Sequence, residues 1–108
     1  MNDTMEKLFQ VVNSRKAEPQ EGSYTCYLFS KGLDKILKKL GEECAETIIA
    51  AKNGAQEDTV EEISDLLYHL TVLMAEQNIP MQAVMEELDR RSEKIGNLKQ
   101  AHVSDHNS

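Results

Sequence analysis

Apolar residues recur at intervals of three and four along most of the sequence, and this spacing most limits the folds that are open to it. Near the N-terminus, for example, Leu8, Phe9 and Val12 share one face of a helix. No stretch alternates convincingly at the period of two that a half-buried strand requires. The sequence therefore predicts an all-α fold, a small antiparallel helical bundle of about four to five helices.

Capping and turn residues delimit the expected helices. Asn53-Gly54 is typical of a helix C-cap, and Pro80 suits the first position of a helix. Thr59 is followed three residues later by Glu62, which is the spacing of a capping box and predicts a helix start at Thr59. The expected helices cover about residues 3–16, 24–32, 33–53, 59–77 and 80–95.

The composition is that of an ordinary globular chain, with 40% hydrophobic and 29% charged residues among 108. We expect one domain over residues 1–98 and a polar, frayed tail over 99–108. No apolar run is long enough to span a membrane and none follows a basic start, so neither membrane contact nor secretion is expected. A cytoplasmic location follows, in which Cys26 and Cys44 are interpreted as small buried hydrophobic side chains.

The net charge of −7 is concentrated in the middle of the chain. Residues 41–76 contain nine acidic side chains and one basic side chain, Lys52, whereas the rest of the chain is nearly balanced. Nucleic-acid-binding proteins show the opposite pattern, so no nucleic-acid partner is expected. Bound cations would make the local repulsion tolerable. The non-enzymatic alternative is an acidic helical interaction module whose groove binds a basic partner.

Two pairs of acidic residues with i,i+3 spacing lie on the third and fourth helices. On the third helix, Leu33 and Ala51 mark the direction of the apolar face. Glu43 lies about −80° and Glu46 about −140° from that direction, at a rotation of about 100° per residue. Both carboxylates are therefore expected on one flank of the apolar face.

The fourth helix carries its acidic pair on the flank of the same hand. With Ile63 as the reference direction, Glu62 lies at about −100° and Asp65 at about −160°. Because the connection between the two helices is short, they are expected to pack as antiparallel neighbours, and flanks of the same hand then turn toward one shared groove. All four carboxylates are expected to converge there.

Converging carboxylates have a chemical use. Without a metal they would repel one another and raise each other's pKa, whereas with a hard divalent cation they form the oxygen ligand set that magnesium prefers. Magnesium usually keeps coordination positions for substrate phosphates, which suits hydrolysis of a phosphoanhydride. A solvated acidic surface is the alternative that the spacing alone leaves open. No E-x-x-H pair lies on these helices, which argues against a ferritin-type di-iron site.

Sequence motifs around these acids resemble a known superfamily. The runs G-E-E-C-A-E at 41–46 and E-I-S-D at 62–65 are similar to the E-E-x-x-E…E-x-x-D signature of the all-α, MazG-like nucleotide pyrophosphohydrolases. Longer segments resemble the phosphoribosyl-ATP pyrophosphatases within that superfamily: E-G-S-Y-T at 21–25, K-K-L-G-E-E at 38–43 and D-L-L-Y-H-L at 65–70. The resemblance extends from about residue 15 to residue 91.

The resemblance implies a magnesium-dependent enzyme, with Mn²⁺ as a substitute for Mg²⁺, that hydrolyses phosphoribosyl-ATP to phosphoribosyl-AMP and pyrophosphate in histidine biosynthesis. The positions that match the family's metal ligands are Glu43, Glu46, Glu62 and Asp65. Glu42 matches the first glutamate of the signature and joins these four as an expected catalytic residue. Its helical angle, about 180° from the core, favours a supporting acid, a water-orienting base or an exposed residue over a ligand. A MazG-like pyrophosphatase acting on canonical or modified nucleoside triphosphates shares the same acids and is the nearest alternative.

Neighbouring polar side chains are candidates for substrate binding. Lys39 and Lys52 are expected either to contact the substrate or to form structural ion pairs. The resemblance implies that Ser23, Tyr24 and Thr25 bind ribose or phosphate. The alternative is that Ser23 caps the second helix while Tyr24 lies in the core.

Two further expectations concern His69 and the assembly. His69 lies on the acidic flank one turn beyond Asp65, and we interpret it as a packed or hydrogen-bonded neighbour rather than a ligand. A short helical chain is expected to complete its groove with a second copy, and the resemblance likewise implies a homodimer. The chain has no room for the cyclohydrolase to which many relatives are fused, so a separate partner enzyme is expected.

Overall fold

The computed structural model describes residues 3–96, which form five α-helices and no strand. The helices are α1 (Thr4–Ala17), α2 (Tyr24–Lys31), α3 (Leu33–Asn53), α4 (Gln56–Glu76) and α5 (Met81–Gly96). The prediction of an all-α bundle of about five helices is confirmed. The expected tail over residues 99–108 lies outside the described residues. No described helix is both long enough and apolar enough to cross a membrane.

The two longest helices, α3 and α4, form an antiparallel hairpin. Gly54 ends α3 in the left-handed conformation, with φ 77°, and its N–H bonds to Ala51 O. Farther along the pair, Thr47 Oγ1 lies 2.8 Å from Glu43 O and 3.3 Å from Glu62 O, so one hydroxyl links the two backbones. These contacts place the middle of α3 beside the first half of α4.

The start of α4 corrects one prediction. The helix begins at Gln56 rather than Thr59, and Thr59 lies within it, where its hydroxyl donates to Ala55 O at 2.9 Å. Gly54 reverses the chain so abruptly that the helix resumes after Ala55. Glu57 and Asp58 stabilise the first turn through the helix dipole, and no side-chain cap is present.

The core lies between the hairpin and the shorter helices α1 and α2. Five buried residues form its centre: Val12, Leu28, Ile36, Val72 and Ala75. Partly buried side chains on α1, α2 and α4, such as Phe9, Phe29 and Tyr68, pack against them. One side of the hairpin is therefore covered by the N-terminal helices.

The sides of α3 and α4 that the apolar pattern assigned to the core do not face the core of the described structure. Ala51, a reference for the α3 face, is exposed, and the buried line on that helix is Ile36, Glu43 and Ala50. Ile63, the reference for α4, is 43% exposed, because α4 turns Val72 and Ala75 toward α1 instead. Apart from Ile49, the exposed large aliphatic side chains of the hairpin form what we call the outer apolar face: Leu37, Ile48, Val60, Ile63, Leu67 and Leu70.

Neither cysteine is the buried hydrophobe that the sequence suggested. Cys44 is an exposed free thiol on α3. Cys26 is half-buried in the first turn of α2, and its sulfur accepts a hydrogen bond from Gln20 N at 3.2 Å. The sulfur of Cys26 thus acts as a hydrogen-bond acceptor, which the interpretation as a purely hydrophobic side chain did not foresee.

We predict that alanine substitutions at Gly54 and Gly41 have opposite effects on stability. Gly54→Ala should lower the free energy of unfolding by about 1–2 kcal/mol, because a Cβ disfavours the left-handed conformation. Gly41 lies inside α3, where an added Cβ meets nothing within 4 Å, so Gly41→Ala should raise it by about 1 kcal/mol. Urea unfolding followed by circular dichroism measures both, and equal effects of the two substitutions would contradict this account of the hairpin turn.

Candidate active site

The acidic residues of α3 and α4 meet at the interface of the hairpin. Carboxylate oxygens of Glu43, Glu62 and Asp65 lie within 4.8 Å of one another. Glu46, one turn beyond Glu43, lies near enough to Glu62 to contribute to raising the pKa of Glu62. The structure therefore brings three of the four predicted carboxylates within ligand distance of one another, with Glu46 beside Glu62, and we call all four the acidic cluster.

Two oxygens of the acidic cluster lack a hydrogen-bond partner. Glu43 is only 6% exposed, and Oε1 of Glu43 and Oε1 of Glu62 are buried with no donor among the described residues. A buried carboxylate oxygen without a donor costs free energy unless a cation or another donor compensates it. Four carboxylates from two rigid helices are also the ligand type that hard divalent cations select. The donor set thus fits a divalent metal.

Crowding within the acidic cluster alters the acidity of Glu62. Its pKa is raised from 4.5 to about 7, first by burial and then by the hydrogen bond and negative charge of Glu46. The charges of Glu43 and Asp65 act in the same direction. Without a cation, Glu62 therefore retains a proton at pH values where an isolated glutamate would lose it.

His69 links the acidic cluster to α2. Its Nδ1 lies 2.8 Å from Asp65 O, and since a carbonyl oxygen only accepts, Nδ1 carries the proton. Its Nε2 lies 3.2 Å from the Tyr24 hydroxyl and accepts from it when the ring is neutral. The residue is 4% exposed and both ring nitrogens are engaged, which agrees with the interpretation of His69 as a hydrogen-bonded neighbour.

Lys39 and Glu42 form an ion pair beside the acidic cluster. The Lys39 ammonium lies 3.2 Å from Glu42 Oε1, and this contact raises the pKa of Lys39, with smaller contributions from Tyr24 and Glu43. The Glu42 carboxylate is thereby engaged by Lys39 rather than by the acidic cluster. Of the two alternatives for Lys39, the structural ion pair is present, and its ammonium still lies within electrostatic reach of Glu43.

Lys52 is not brought to the acidic cluster by its own helix. It lies exposed in the last turn of α3, six residues beyond Glu46, which corresponds to roughly 9 Å along the helix axis. Within residues 3–93 the side-chain ammonium of Lys52 has no hydrogen-bond or ion-pair partner. Its expected role in substrate contact stays a prediction.

The three residues at the start of α2 have different environments. Ser23 caps the helix, since its Oγ accepts from Cys26 N at 3.1 Å, and Thr25 Oγ1 is hydrogen-bonded to the Tyr68 hydroxyl. Tyr24 is 45% exposed, so the alternative that placed it in the core is wrong. Tyr68 was not singled out by the sequence, although it stands three residues after Asp65 and therefore on a neighbouring part of α4.

The fold and the acidic cluster define an all-α protein with a candidate site for a divalent cation. Residues 5–92 match the family described as phosphoribosyl-ATP pyrophosphohydrolase. The chain is 54% identical over 98 residues to a phosphoribosyl-ATP pyrophosphatase of Clostridium botulinum (strain Kyoto / Type A2), an alignment covering 91% of this chain and 89% of the relative. It is 52% identical to the protein of that name from Bacillus cereus (strain AH820), over 91% of this chain and 92% of the relative. The chain therefore belongs to the phosphoribosyl-ATP pyrophosphohydrolase family and is a hydrolase.

Membership of this family confirms the resemblance seen in the motifs and excludes a purely non-enzymatic interaction module. Enzymes of this kind generally depend on a divalent metal. Among the described residues, Glu43, Glu62 and Asp65 of the acidic cluster have ligand atoms close enough together to hold one.

We predict that the metal-free protein becomes less stable as pH rises from about 5 to about 8. The pKa of Glu62 is about 7 in the folded state against 4.5 for an ordinary glutamate, so the folded state binds the extra proton between these values. The bound proton stabilises the folded state fully at pH values below 4.5, and this stabilisation is lost as pH rises through about 7. Glu62→Gln should flatten the decline, whereas Glu61→Gln, at the exposed neighbouring position, should keep it.

Thermal unfolding followed by circular dichroism in the presence of a chelator measures this dependence. If Glu62→Gln loses melting temperature with rising pH as steeply as the unsubstituted protein, the folded-state proton is not on Glu62.

Proposed function

We propose that this chain catalyses the magnesium-dependent hydrolysis of phosphoribosyl-ATP to phosphoribosyl-AMP and pyrophosphate, a reaction of histidine biosynthesis. The observation that carries the proposal is the convergence of the carboxylates of Glu43, Glu62 and Asp65, two of which have unpartnered buried oxygens, in a member of this family. Relatives that are 53–54% identical to it over 98 residues bear the name phosphoribosyl-ATP pyrophosphatase, which supports this substrate.

The residues proposed to hold the metal are Glu43, Glu46, Glu62 and Asp65. Mg²⁺ is the expected ion, and Mn²⁺ accepts the same oxygen ligands. A divalent ion bound there would neutralise charge on the phosphate oxygens and lower the pKa of a coordinated water. The protein's own contribution is to hold the four carboxylates on two packed helices, so that little rearrangement is needed when substrate arrives.

Ionised and protonated carboxyl groups of the acidic cluster have separate uses in this proposal. Because the pKa of Glu62 is raised to about 7, this carboxyl group can gain or lose a proton near neutral pH. A carboxylate of the acidic cluster that is not occupied by metal accepts the proton of the attacking water. Glu42 is assigned a positioning role, since its carboxylate fixes the ammonium of Lys39 at 3.2 Å.

Substrate contacts are proposed at the edge of the acidic cluster that faces α2. Lys39 supplies positive charge for the phosphates, and half-exposed Tyr24 supplies a hydroxyl and a ring beside the ribose. Ser23 and Thr25 are proposed to act through the cap and the Tyr68 hydrogen bond that hold the first turn of α2 in place. Lys52 is kept as a proposed contact for an extended phosphate chain, which its exposure supports.

We predict that pyrophosphate release requires Mg²⁺ and the acidic cluster. Glu46→Gln and Asp65→Asn should each lower kcat/KM about 100-fold or more, because several kcal/mol of charge stabilisation depend on the bound metal. Glu61→Gln on the same helix is the matched control and should retain activity. Enzyme-coupled detection of pyrophosphate, with circular dichroism to verify folding, measures the effect; unfolding of Asp65→Asn would show a structural role instead.

The same assay separates this function from that of a general nucleoside-triphosphate pyrophosphatase. Turnover of phosphoribosyl-ATP should exceed turnover of ATP and dUTP at equal concentration. Equal or faster turnover of the simple triphosphates would favour the MazG-like alternative, in which the same acids serve a different substrate.

The outer apolar face supports the proposal that the enzyme is a homodimer. Its aliphatic side chains lie on two adjacent helices, and Ile48 is 69% exposed. Contiguous exposed apolar surface on a folded chain usually marks an interface with another protein surface. Since α3 and α4 also carry the acidic cluster, a second copy packed on this face would rigidify the hairpin that holds the carboxylates.

We predict that the protein has a mass in solution of about twice its 12.2 kDa and that Ile48→Glu dissociates it. A charge placed in the middle of the outer apolar face would have to be buried on association. The control is Val11→Glu, which puts the same charge at an exposed aliphatic position on α1, outside that face. Light scattering measures the mass, and a fully active monomer of the unsubstituted chain would overturn the proposal.

A further inference from the structure

A second concave site lies on the other side of Tyr24 from the acidic cluster. It is a cleft of about 800 Å³ between the end of α1, the connector over residues 18–23, and α2. This volume is within the range of roughly 300–1,000 Å³ that small-molecule sites occupy. Its charged lining residues are Arg15 and Lys16, and no aspartate or glutamate of the described chain lines it. In a protein of net charge −7, this cleft is locally cationic.

The two cations of the cleft differ in availability. The Lys16 ammonium is occupied, since it lies 2.7 Å from Ala75 O and 2.9 Å from Asn78 Oδ1 and so ties α1 to the end of α4. Arg15 has one long hydrogen bond, from Nη1 to Ser14 Oγ at 3.4 Å, and no carboxylate lies within 4 Å of its guanidinium in the part of the chain that the structure describes. A guanidinium with free donors suits bidentate binding of a phosphate.

The wall of the cleft is held by the thiol of Cys26. Its sulfur accepts from Gln20 N at 3.2 Å and lies 3.6 Å from Arg15 O, so the connector and the end of α1 are both attached to the first turn of α2. The backbone that carries Arg15 is therefore fixed relative to Tyr24 before any ligand binds. A preformed site loses less conformational entropy on binding than a mobile one.

Two aromatic rings form the side of the cleft nearest the acidic cluster. The rings of Tyr24 and Tyr27 are 6.0 Å apart and within 24° of parallel, and the two residues are 45% and 41% exposed. Exposed aromatic faces stack with nucleobases without sequence preference. The Tyr24 hydroxyl continues through His69 to Asp65, so this ring connects the cleft with the acidic cluster.

We infer that the cleft binds the phosphoribosyl end of the substrate, with Arg15 receiving the terminal phosphomonoester and Tyr24 and Tyr27 contacting the purine. This inference rests on the proposed function and deepens it. Phosphoribosyl-ATP is a two-ended anion in which a triphosphate, a ribose, a purine, a second ribose and a second phosphate follow in that order. The protein presents an acidic cluster, exposed tyrosine rings and a free guanidinium in the same order. Arg15 is thereby the residue that distinguishes phosphoribosyl-ATP from ATP, because ATP lacks the second phosphate.

The test compares ligands that differ only in the phosphoribosyl group. The two proteins compared are the unsubstituted chain and Arg15→Met, which keeps most of the aliphatic side chain but lacks the guanidinium. Calorimetry measures the dissociation constants of phosphoribosyl-AMP and of AMP for each protein. An assay of pyrophosphate release measures kcat/KM of each protein for phosphoribosyl-ATP and for ATP. Arg15→Met should reduce the preference for the phosphoribosyl ligand over its simple counterpart about 10- to 100-fold in both assays, the range for a lost charge-assisted hydrogen bond. Arg15→Lys should restore part of that preference.

Lys7→Met is the matched control, since Lys7 lies on the same helix and is paired only with Asp3 at 3.5 Å. It removes the same charge outside the cleft and should leave both preferences unchanged. An Arg15→Met protein that folds and keeps the full preference, or that weakens both ligands of a pair equally, overturns the inference. If the proposed function is wrong, the unsubstituted protein will release no pyrophosphate from phosphoribosyl-ATP. In that case the calorimetric comparison of phosphoribosyl-AMP with AMP still decides whether the cleft recognises the second phosphate.

Discussion

Mutual repulsion among four carboxylates is the constraint on which the structure of this site depends. Left free, these side chains would separate into solvent, but α3 and α4 are held together by the chain reversal at Gly54, by the Thr47 hydroxyl between the two backbones and by the core packed on their inner side. Glu43 even occupies the buried line of α3. The folding free energy of the bundle therefore maintains an unfavourable charge arrangement that a divalent cation can relieve, and a site of this kind binds cations more strongly because its ligands cannot move apart.

The backbone that carries the acidic cluster is also connected to the rest of the bundle through hydrogen bonds of His69. Its Nδ1 donates to the carbonyl of Asp65 and its Nε2 is hydrogen-bonded to the Tyr24 hydroxyl, and Tyr24 stands at the start of α2. The imidazole thus joins α4 to α2. The same contact explains why α2, a helix of only eight residues, has a defined orientation relative to the hairpin.

The sequence allowed the fold class, the five helices and the convergence of the acids to be predicted, because each follows from local periodicity. It did not allow the core faces of α3 and α4 to be predicted. Both helices carry aliphatic residues on more than one side, and periodicity cannot tell the side covered by α1 from the side that carries Ile48 and Ile63. The helix start was misplaced at Thr59 for a related reason: the capping-box pattern is present, but the tight reversal at Gly54 takes precedence over it. The cleft at Arg15 is formed by the connector, whose path no helical pattern describes.

The arrangement of charge along the molecule follows from these separate constraints. A bound cation would offset the charge of the carboxylates concentrated between α3 and α4. Arg15 has no acidic partner among the described residues, and a bound anion would offset its charge. Tyr24 lies between the two regions, and its ring and hydroxyl are uncharged. The uncharged Tyr24 side chain separates the acidic cluster from the cleft and so keeps Arg15 from pairing with the acids. Such an ion pair would occupy both a proposed metal ligand and the proposed anion-binding group. A substrate with a phosphate at each end would satisfy both regions at once, one through a metal held by the acidic cluster and the other through Arg15 directly.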